Sequence, residues 1–164
     1  MTEKQRQEYR KRVISFIRDC GSRIVWVPDP DASKHRILIL NDYRGYVVPA
    51  EMAVHLPAGC SKSVHGWGYY FSSDFCTSSE VQPMTERVEL MWNDTKSKMV
   101  LFQLKKGERH VLRYCPKLRK DWIRPIAKYT KHWIATPREF MIAYDRDREP
   151  LALFVSLRTT PVLP

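Results

Sequence analysis

Short apolar runs separated by turn-forming residues are the feature that most limits how this 164-residue chain can fold. Residues 23–27 (RIVWV) and 36–40 (RILIL) are β-branched or aliphatic runs, and the loop PDPDASK that joins them is rich in the prolines and aspartates that favour turns. Residues 42–45 (DYRG) then turn the chain into YVV. We expect these three runs to pair as an antiparallel meander, because short strands joined by tight turns pair with their neighbours.

A second group of runs has the same organisation. Residues 87–92 (RVELMW), 98–104 (KMVLFQL) and 109–115 (RHVLRYC) are separated by NDTKS and KKGE, which both carry turn chemistry. This pattern predicts a second three-strand meander. The apolar run at 151–157 (LALFVSL) predicts a last strand that is buried.

The first residues of the chain have the pattern of an amphipathic helix. Thr2 and Gln5 have the spacing of a capping box, in which a hydroxyl and an amide satisfy the first free backbone donors of a helix. Apolar residues then recur at helical intervals as far as Cys20, and Gly21 is a suitable terminator. We therefore expect a helix from about 3 to 20.

The region after residue 117 also has helical features. Residues 117–135 follow a helical pattern that Pro125 interrupts, which predicts a kink or two short helices. The sequence TPRE at 136–139 combines a cap residue, a proline and a glutamate in the order found at helix starts. We expect helices from 117 to about 147, the last of them covering Phe140 and Tyr144.

These elements predict an α+β fold with an N-terminal amphipathic helix, a mostly antiparallel sheet of two meanders, C-terminal helices and a final buried strand. The length suits one domain, which we expect to span 1–160, followed by a frayed tail at 161–164. No apolar stretch approaches the roughly 18 residues of a membrane helix, and the polar N-terminus is unlike a secretory signal. We expect a cytoplasmic protein with reduced cysteines and no membrane association.

The positive charge is concentrated in one part of the chain. The formal net charge is +10, and residues 96–138 alone carry +11 because they contain thirteen Lys and Arg but only two acidic residues. Such a segment either keeps a protein soluble or attracts polyanions, and the interleaved aromatic residues favour nucleic acid. The predicted phosphate-contacting residues are Lys105, Lys106, Arg109, Arg113, Lys117, Arg119, Lys120, Arg124, Lys128 and Lys131.

We therefore predict a nucleic-acid-binding protein without catalytic activity. No base-reading motif is present in the sequence, which favours single-stranded nucleic acid or RNA over B-form DNA. The first alternative is a protein that inhibits or adapts a nucleic-acid enzyme, since Trp, Tyr, Met and Arg are also typical of protein interfaces. The second is a small metal-dependent nuclease, for which Glu86, Glu89 and Asp94 are the best carboxylates, although Asp94 lies in a predicted turn.

Residues 60–76 (CSKSVHGWGYYFSSDFC) admit three interpretations. Trp67, which lies between two glycines, and Tyr69 would suit base stacking, although glycines beside a tryptophan are also typical of a bulged core strand. His55, Cys60, His65 and Cys76 are residue types that bind zinc, but they lack the close ligand pairs of structural zinc sites. The structural interpretation is favoured, and we expect no cofactor and no metal.

Overall fold

The computed structural model describes residues 1–71, 78–83, 99–108, 116–138 and 140–157. The predicted strands at 87–92 and 109–115 and the predicted tail at 161–164 lie outside these residues. Within the described residues, one long N-terminal helix, some short helices and a large, mostly antiparallel sheet confirm the predicted α+β class.

The N-terminal helix α1 spans Glu3–Cys20 and begins with the predicted capping box. The Thr2 hydroxyl accepts a hydrogen bond from the Gln5 backbone N–H at 3.2 Å, and the Gln5 side chain accepts one from the Thr2 N–H at 2.8 Å. The helix ends at Gly21, whose φ of +54° is a conformation that glycine adopts without a Cβ clash. The buried stripe of α1 consists of Tyr9, Val13, Phe16 and Ile17.

Ten strands and two further α-helices follow within the described residues. The strands are β1 (Val25–Pro28), β2 (Arg36–Leu40), β3 (Arg44–Pro49), β4 (Ser61–Lys62), β5 (Ser79–Pro83), β6 (Met99–Leu104), β7 (Lys117–Arg119), β8 (His132–Ala135), β9 (Phe140–Tyr144) and β10 (Pro150–Val155). The helices are α2 (Trp67–Phe71) and α3 (Lys120–Ile123). The order in the sheet is β4-β1-β2-β3-β10-β9-β8-β5-β6-β7, and among these described strands only β1 and β4 pair in parallel.

The first meander and the final strand are confirmed. Strands β1, β2 and β3 pair antiparallel in sequence order, with Trp26 opposite Ile39 and Ile39 opposite Tyr46. The turn between β2 and β3 is closed by the Asn41 side chain, which accepts two backbone hydrogen bonds at 2.8 Å. Strand β10 is buried, as predicted, because it lies between β3 and β9 in the middle of the sheet.

The predicted helices between 117 and 147 are mostly wrong. Among the described residues of this segment, only the four-residue α3 is an α-helix, and Phe140–Tyr144, predicted to be helical, is strand β9. The run FMIAY buries Met141, Ile142 and Ala143 between β8 and β10, which requires an element that is covered on both faces. Thr136 closes the preceding hairpin, because its backbone N–H donates to the Phe140 carbonyl at 2.8 Å and its hydroxyl accepts from the Phe140 N–H.

The sheet separates two apolar clusters. On one face, α1 and the segment from β7 through α3 pack into a cluster that includes Phe16, Tyr46 and Ile123. On the other face, α2 covers a smaller cluster that includes Leu38, Tyr70 and Ile142. In the described ranges, no helix combines the length and apolar character that crossing a membrane requires.

Candidate functional site

The predicted basic residues do not lie on one helix face. Lys105 and Lys106 follow β6, Lys117 and Arg119 lie on β7, Lys120 begins α3, and Arg124, Lys128 and Lys131 follow α3 on the way to β8. Arg109 and Arg113 lie outside the described residues. The described cations therefore lie after β6, on β7, in α3 and in the connection from α3 to β8. We consider two groups of them, which lie at different places on the surface.

The first group surrounds α3. Arg119, Lys120 and Arg124 are exposed. Arg124 has a weak partner in Asp121 at 3.4 Å, and both side chains are more than half exposed. For Arg119 and Lys120, no acidic partner lies within 4.0 Å in the part of the chain that the structure describes. These charges are thus available to a polyanion.

Helix α3 also carries one ring of a stacked aromatic pair. The rings of Trp122 and Tyr43 have centroids 6.2 Å apart and planes inclined by 24°, and the Tyr43 side chain is 55% exposed. The Trp122 backbone is held in place because its carbonyl accepts a hydrogen bond from the buried Tyr46 hydroxyl at 2.6 Å. The Arg44 guanidinium lies 5.9 Å from the Trp122 ring centroid. We call Arg119, Lys120 and Arg124, together with Tyr43 and Trp122, the α3 surface.

Sequence patterns alone did not reveal this aromatic pair. Trp122 lies in the segment 117–135, for which the sequence predicts helices, and Tyr43 lies in the turn 42–45; neither is among the predicted stacking residues. The available signal was the turn itself, because a large aromatic residue at a tight turn projects from the end of the sheet and stays partly exposed.

The two stacking residues predicted from the sequence lie elsewhere. Trp67 is half-buried on α2, 4.7 Å from the Phe71 ring, and the Arg36 guanidinium lies 5.2 Å from its ring centroid. Tyr69 lies between His65, whose ring is stacked 3.8 Å away, and the Arg138 guanidinium at 4.4 Å. A nucleobase would therefore have to displace His65 or Arg138 to stack on Tyr69.

The structure does not bring together the residues of the zinc hypothesis that it describes. His65 is stacked on Tyr69, while His55 is exposed at the end of a 3-10 helix over Ala50–His55. Cys60 is a half-buried free thiol, and Cys76 lies outside the described residues. Over the described ranges, no three His, Cys, Asp or Glu side chains are grouped closely enough to hold a metal ion.

The second group of cations flanks a cavity of about 310 Å³ on the face of the sheet that α2 covers. Trp67 and Phe71 form an aromatic wall of the cavity. Polar side chains from the strands and their turns also line it, and we call Arg36, Glu149, Glu80 and His132 the polar row. The described residues that line the cavity are Arg36, Trp67, Phe71, Glu80, His132, Ile134, Tyr144, Arg148, Glu149 and Pro150. Lys105 adjoins this row, because its ammonium contacts Glu80, and Lys131 is the exposed residue directly before His132 in the chain.

Two groups of ion pairs fix the polar row. At one end, Arg36 bridges Asp29 and Glu149 with nitrogen–oxygen distances of 2.7 Å to each. Burial opposes the charge on Arg36, but the two carboxylate hydrogen bonds outweigh it and raise the pKa of the guanidinium. Hydrogen bonds from Arg36 and Lys34 lower the pKa of Glu149. This end of the cavity is charge-compensated and structurally constrained.

At the other end, Glu80 bridges His132 and Lys105. The Glu80 carboxylate lies 2.9 Å from the His132 Nδ1 and 3.0 Å from the Lys105 ammonium. Burial raises the pKa of Glu80, but hydrogen bonds from His132 and Lys105 lower it by more, so the net shift is downward. Tyr144 is the cross-strand partner of His132, and burial raises the pKa of its hydroxyl.

No local pattern in the sequence indicates this cavity. Glu80, His132 and Glu149 come from three strands or their flanking turns and are far apart in the sequence. Comparisons with protein-family models, with curated proteins and with solved structures found no match.

Proposed function

We propose that the protein binds single-stranded nucleic acid, with the α3 surface as its primary contact. The observation that supports this proposal is that three exposed cations, two of them without an acidic partner in the described residues, lie on or next to α3, which also carries Trp122 of the stacked Tyr43–Trp122 pair. Cations that contact phosphates release counterions, which supplies affinity without sequence preference. An exposed aromatic ring gives an unpaired base a surface on which to stack.

Single strands are preferred in this proposal because their bases are accessible. Tyr43 is more than half exposed, and the backbone of its partner Trp122 is fixed by the hydrogen bond from the Tyr46 hydroxyl. Stacking requires a base whose face is free, which a B-form duplex does not offer, so RNA loops and other single strands suit the α3 surface better. We place this activity in the cytoplasm, since Cys20 and Cys60 are free thiols of the kind that a reducing compartment maintains.

Charge reversal tests this proposal. The variant Arg119→Glu, Lys120→Glu, Arg124→Glu should bind single-stranded RNA and DNA much more weakly and should make the slope of log affinity against log salt shallower by about 2, at roughly 0.7 per lost phosphate contact on a single strand. Its melting temperature should be nearly unchanged, because all three side chains are exposed. The measurement is fluorescence anisotropy with labelled single-stranded RNA, single-stranded DNA and duplex DNA.

A matched control removes the effect of net charge. The variant Lys4→Glu, Lys11→Glu, Arg12→Glu makes the same charge change on exposed positions of α1 and should bind nearly as the wild type does. If the two triple variants bind equally well, the α3 surface is not the contact. If neither the variants nor the wild type bind any probe at low salt, the alternative of a protein partner is favoured.

A further inference from the structure

The cavity on the face that α2 covers contains a histidine oriented by a carboxylate. The pKa of Glu80 lies below its usual value, so Glu80 is ionised at neutral pH and can only accept hydrogen bonds. The His132 Nδ1, 2.9 Å away, must therefore be the donor in that contact. In the neutral imidazole this leaves Nε2 unprotonated, which is the arrangement of a general base held in one tautomer by a second group.

The reaction needs a nucleophile that His132 can activate. Among the described residues that line the cavity there is no serine, threonine or cysteine for this role, so a base at His132 would act on a hydroxyl brought by the substrate or on water. RNA brings such a hydroxyl, because each ribose carries a 2′-OH next to the phosphodiester that it can attack. This feature distinguishes RNA from DNA as a substrate.

A second proton-bearing group lies next to His132. Tyr144 on β9 is directly opposite His132 on β8, so their Cβ atoms are about 4.5–5.5 Å apart on one face of the sheet. Burial raises the pKa of Tyr144, which keeps its hydroxyl protonated over the neutral range. The pair thus combines a proton acceptor and a proton donor at the same place.

The cavity also offers a positive charge and an aromatic surface. Arg148 is exposed and lines the cavity, and in the described ranges no carboxylate lies within 4.0 Å of its guanidinium. Trp67 and Phe71 form the aromatic wall against which a base would pack. Lys105, whose ammonium contacts Glu80, would meet an adjoining phosphate.

We propose that this cavity cleaves RNA by transesterification, with His132 as the general base, Tyr144 as the general acid and Arg148 as the phosphate-binding cation. This activity rests on the proposed nucleic-acid binding and departs from the sequence-based expectation of a protein without catalytic activity. Its substrate class is single-stranded RNA. Glu80 is a positioning residue that acts through His132.

The proposed step is balanced without a co-reactant. The His132 Nε2 takes the proton of the 2′-OH, the 2′-oxygen forms a bond to the adjacent phosphorus, and the bond from phosphorus to the 5′-oxygen breaks. The 5′-oxygen takes the Tyr144 proton, and the proton held by His132 then returns to Tyr144 through solvent. The products are a 2′,3′-cyclic phosphate and a 5′-hydroxyl. Arg148 stabilises the charge that develops on the phosphoryl oxygens.

The test uses the full-length protein, a metal chelator and a single-stranded RNA labelled with a fluorophore and a quencher. We expect cleavage of RNA with a 2′,3′-cyclic phosphate at the product end, and no cleavage of the same oligonucleotide made with deoxyribose. His132→Ala and Tyr144→Phe should each lower kcat by roughly 100-fold or more. Glu80→Gln should lower kcat by less than His132→Ala does and should also change the pH profile of kcat, which a smaller folded fraction alone would not do.

The control is His35→Asn, which removes an exposed histidine outside the cavity lining at a position where φ is +48° and asparagine is tolerated. It should cleave as the wild type does. Anisotropy on the same RNA separates the two proposals. Three results would overturn the proposed chemistry and leave the nucleic-acid binding intact. They are binding of the RNA without cleavage, cleavage of the deoxyribose oligonucleotide, and undiminished cleavage by His132→Ala and Tyr144→Phe. Absence of both binding and cleavage would remove both proposals.

Discussion

The α3 surface and the cavity use arginine in opposite ways. At the α3 surface, Arg119 is exposed and has no acidic partner in the described part of the chain. At the cavity, Arg36 is held between Asp29 and Glu149 at 2.7 Å from each, with 18% of its side chain exposed. An unpaired exposed charge contributes little to folding and stays available to a ligand, whereas a paired and mostly buried charge is part of the structure. Ligand binding and stability should therefore respond to substitutions at different residues.

The largest expected effect is on stability at the cavity. Arg36→Ala should destabilise the fold by about 3–5 kcal/mol, because it leaves the carboxylate of Asp29, only 5% exposed, without its partner. Arg119→Ala should change stability by no more than about 0.5 kcal/mol. Urea unfolding followed by tryptophan fluorescence measures both. Similar losses of stability for the two variants would contradict the distinction between the two regions.

The next effect is on binding at the α3 surface. Tyr43→Ala should weaken binding of single-stranded RNA by about 1–3 kcal/mol while leaving the melting temperature nearly unchanged, because the ring is 55% exposed and offers a face to a base. Tyr69→Ala is the matched control, since His65 and Arg138 lie against that ring. A larger loss of affinity for Tyr69→Ala than for Tyr43→Ala would favour the stacking residue predicted from the sequence instead.

The sequence predicted those parts of the fold that short-range patterns determine. The capping box at Thr2 and Gln5 defines the start of α1, and the two runs on either side of PDPDASK pair as β1 and β2. Helix α3 ends at Ile123, shortly before Pro125, as expected of a helix that meets a proline. In each case, the residues that determine the structure are close to one another in the chain.

The errors arise where distant contacts decide the conformation. The cap pattern at Thr136 was interpreted as a helix start, but the same hydroxyl can close a hairpin, and pairing with β8 and β10 determines which occurs. The cavity was missed for a related reason. Its polar residues become neighbours only when β5, β8 and β9 lie side by side, and no spacing in the sequence records that arrangement.

The smallest expected effect is a dependence of the stability on pH, which arises from Glu80 in the cavity. The folded-state pKa of Glu80 is below its ordinary value of 4.5, so the stabilisation from its contacts with His132 and Lys105 is complete above about pH 4.5 and is lost as pH falls through the folded pKa. Glu80→Gln should therefore be less stable than the wild type at neutral pH, by up to about 1 kcal/mol, and the difference should vanish in acid. Melting temperatures across that range measure it, and a difference that stays constant with pH would rule out this linkage.

In our proposal, this protein binds nucleic acid through the exposed cations of the α3 surface, Arg119, Lys120 and Arg124. The most direct test is the affinity of the wild type for a single-stranded RNA at about 50 and 200 mM salt, measured by fluorescence anisotropy. Three phosphate contacts, through Arg119, Lys120 and Arg124, predict a loss of affinity of roughly 20-fold between the two conditions. Absence of binding at the lower salt concentration, or an affinity that does not change with salt, would contradict the claim.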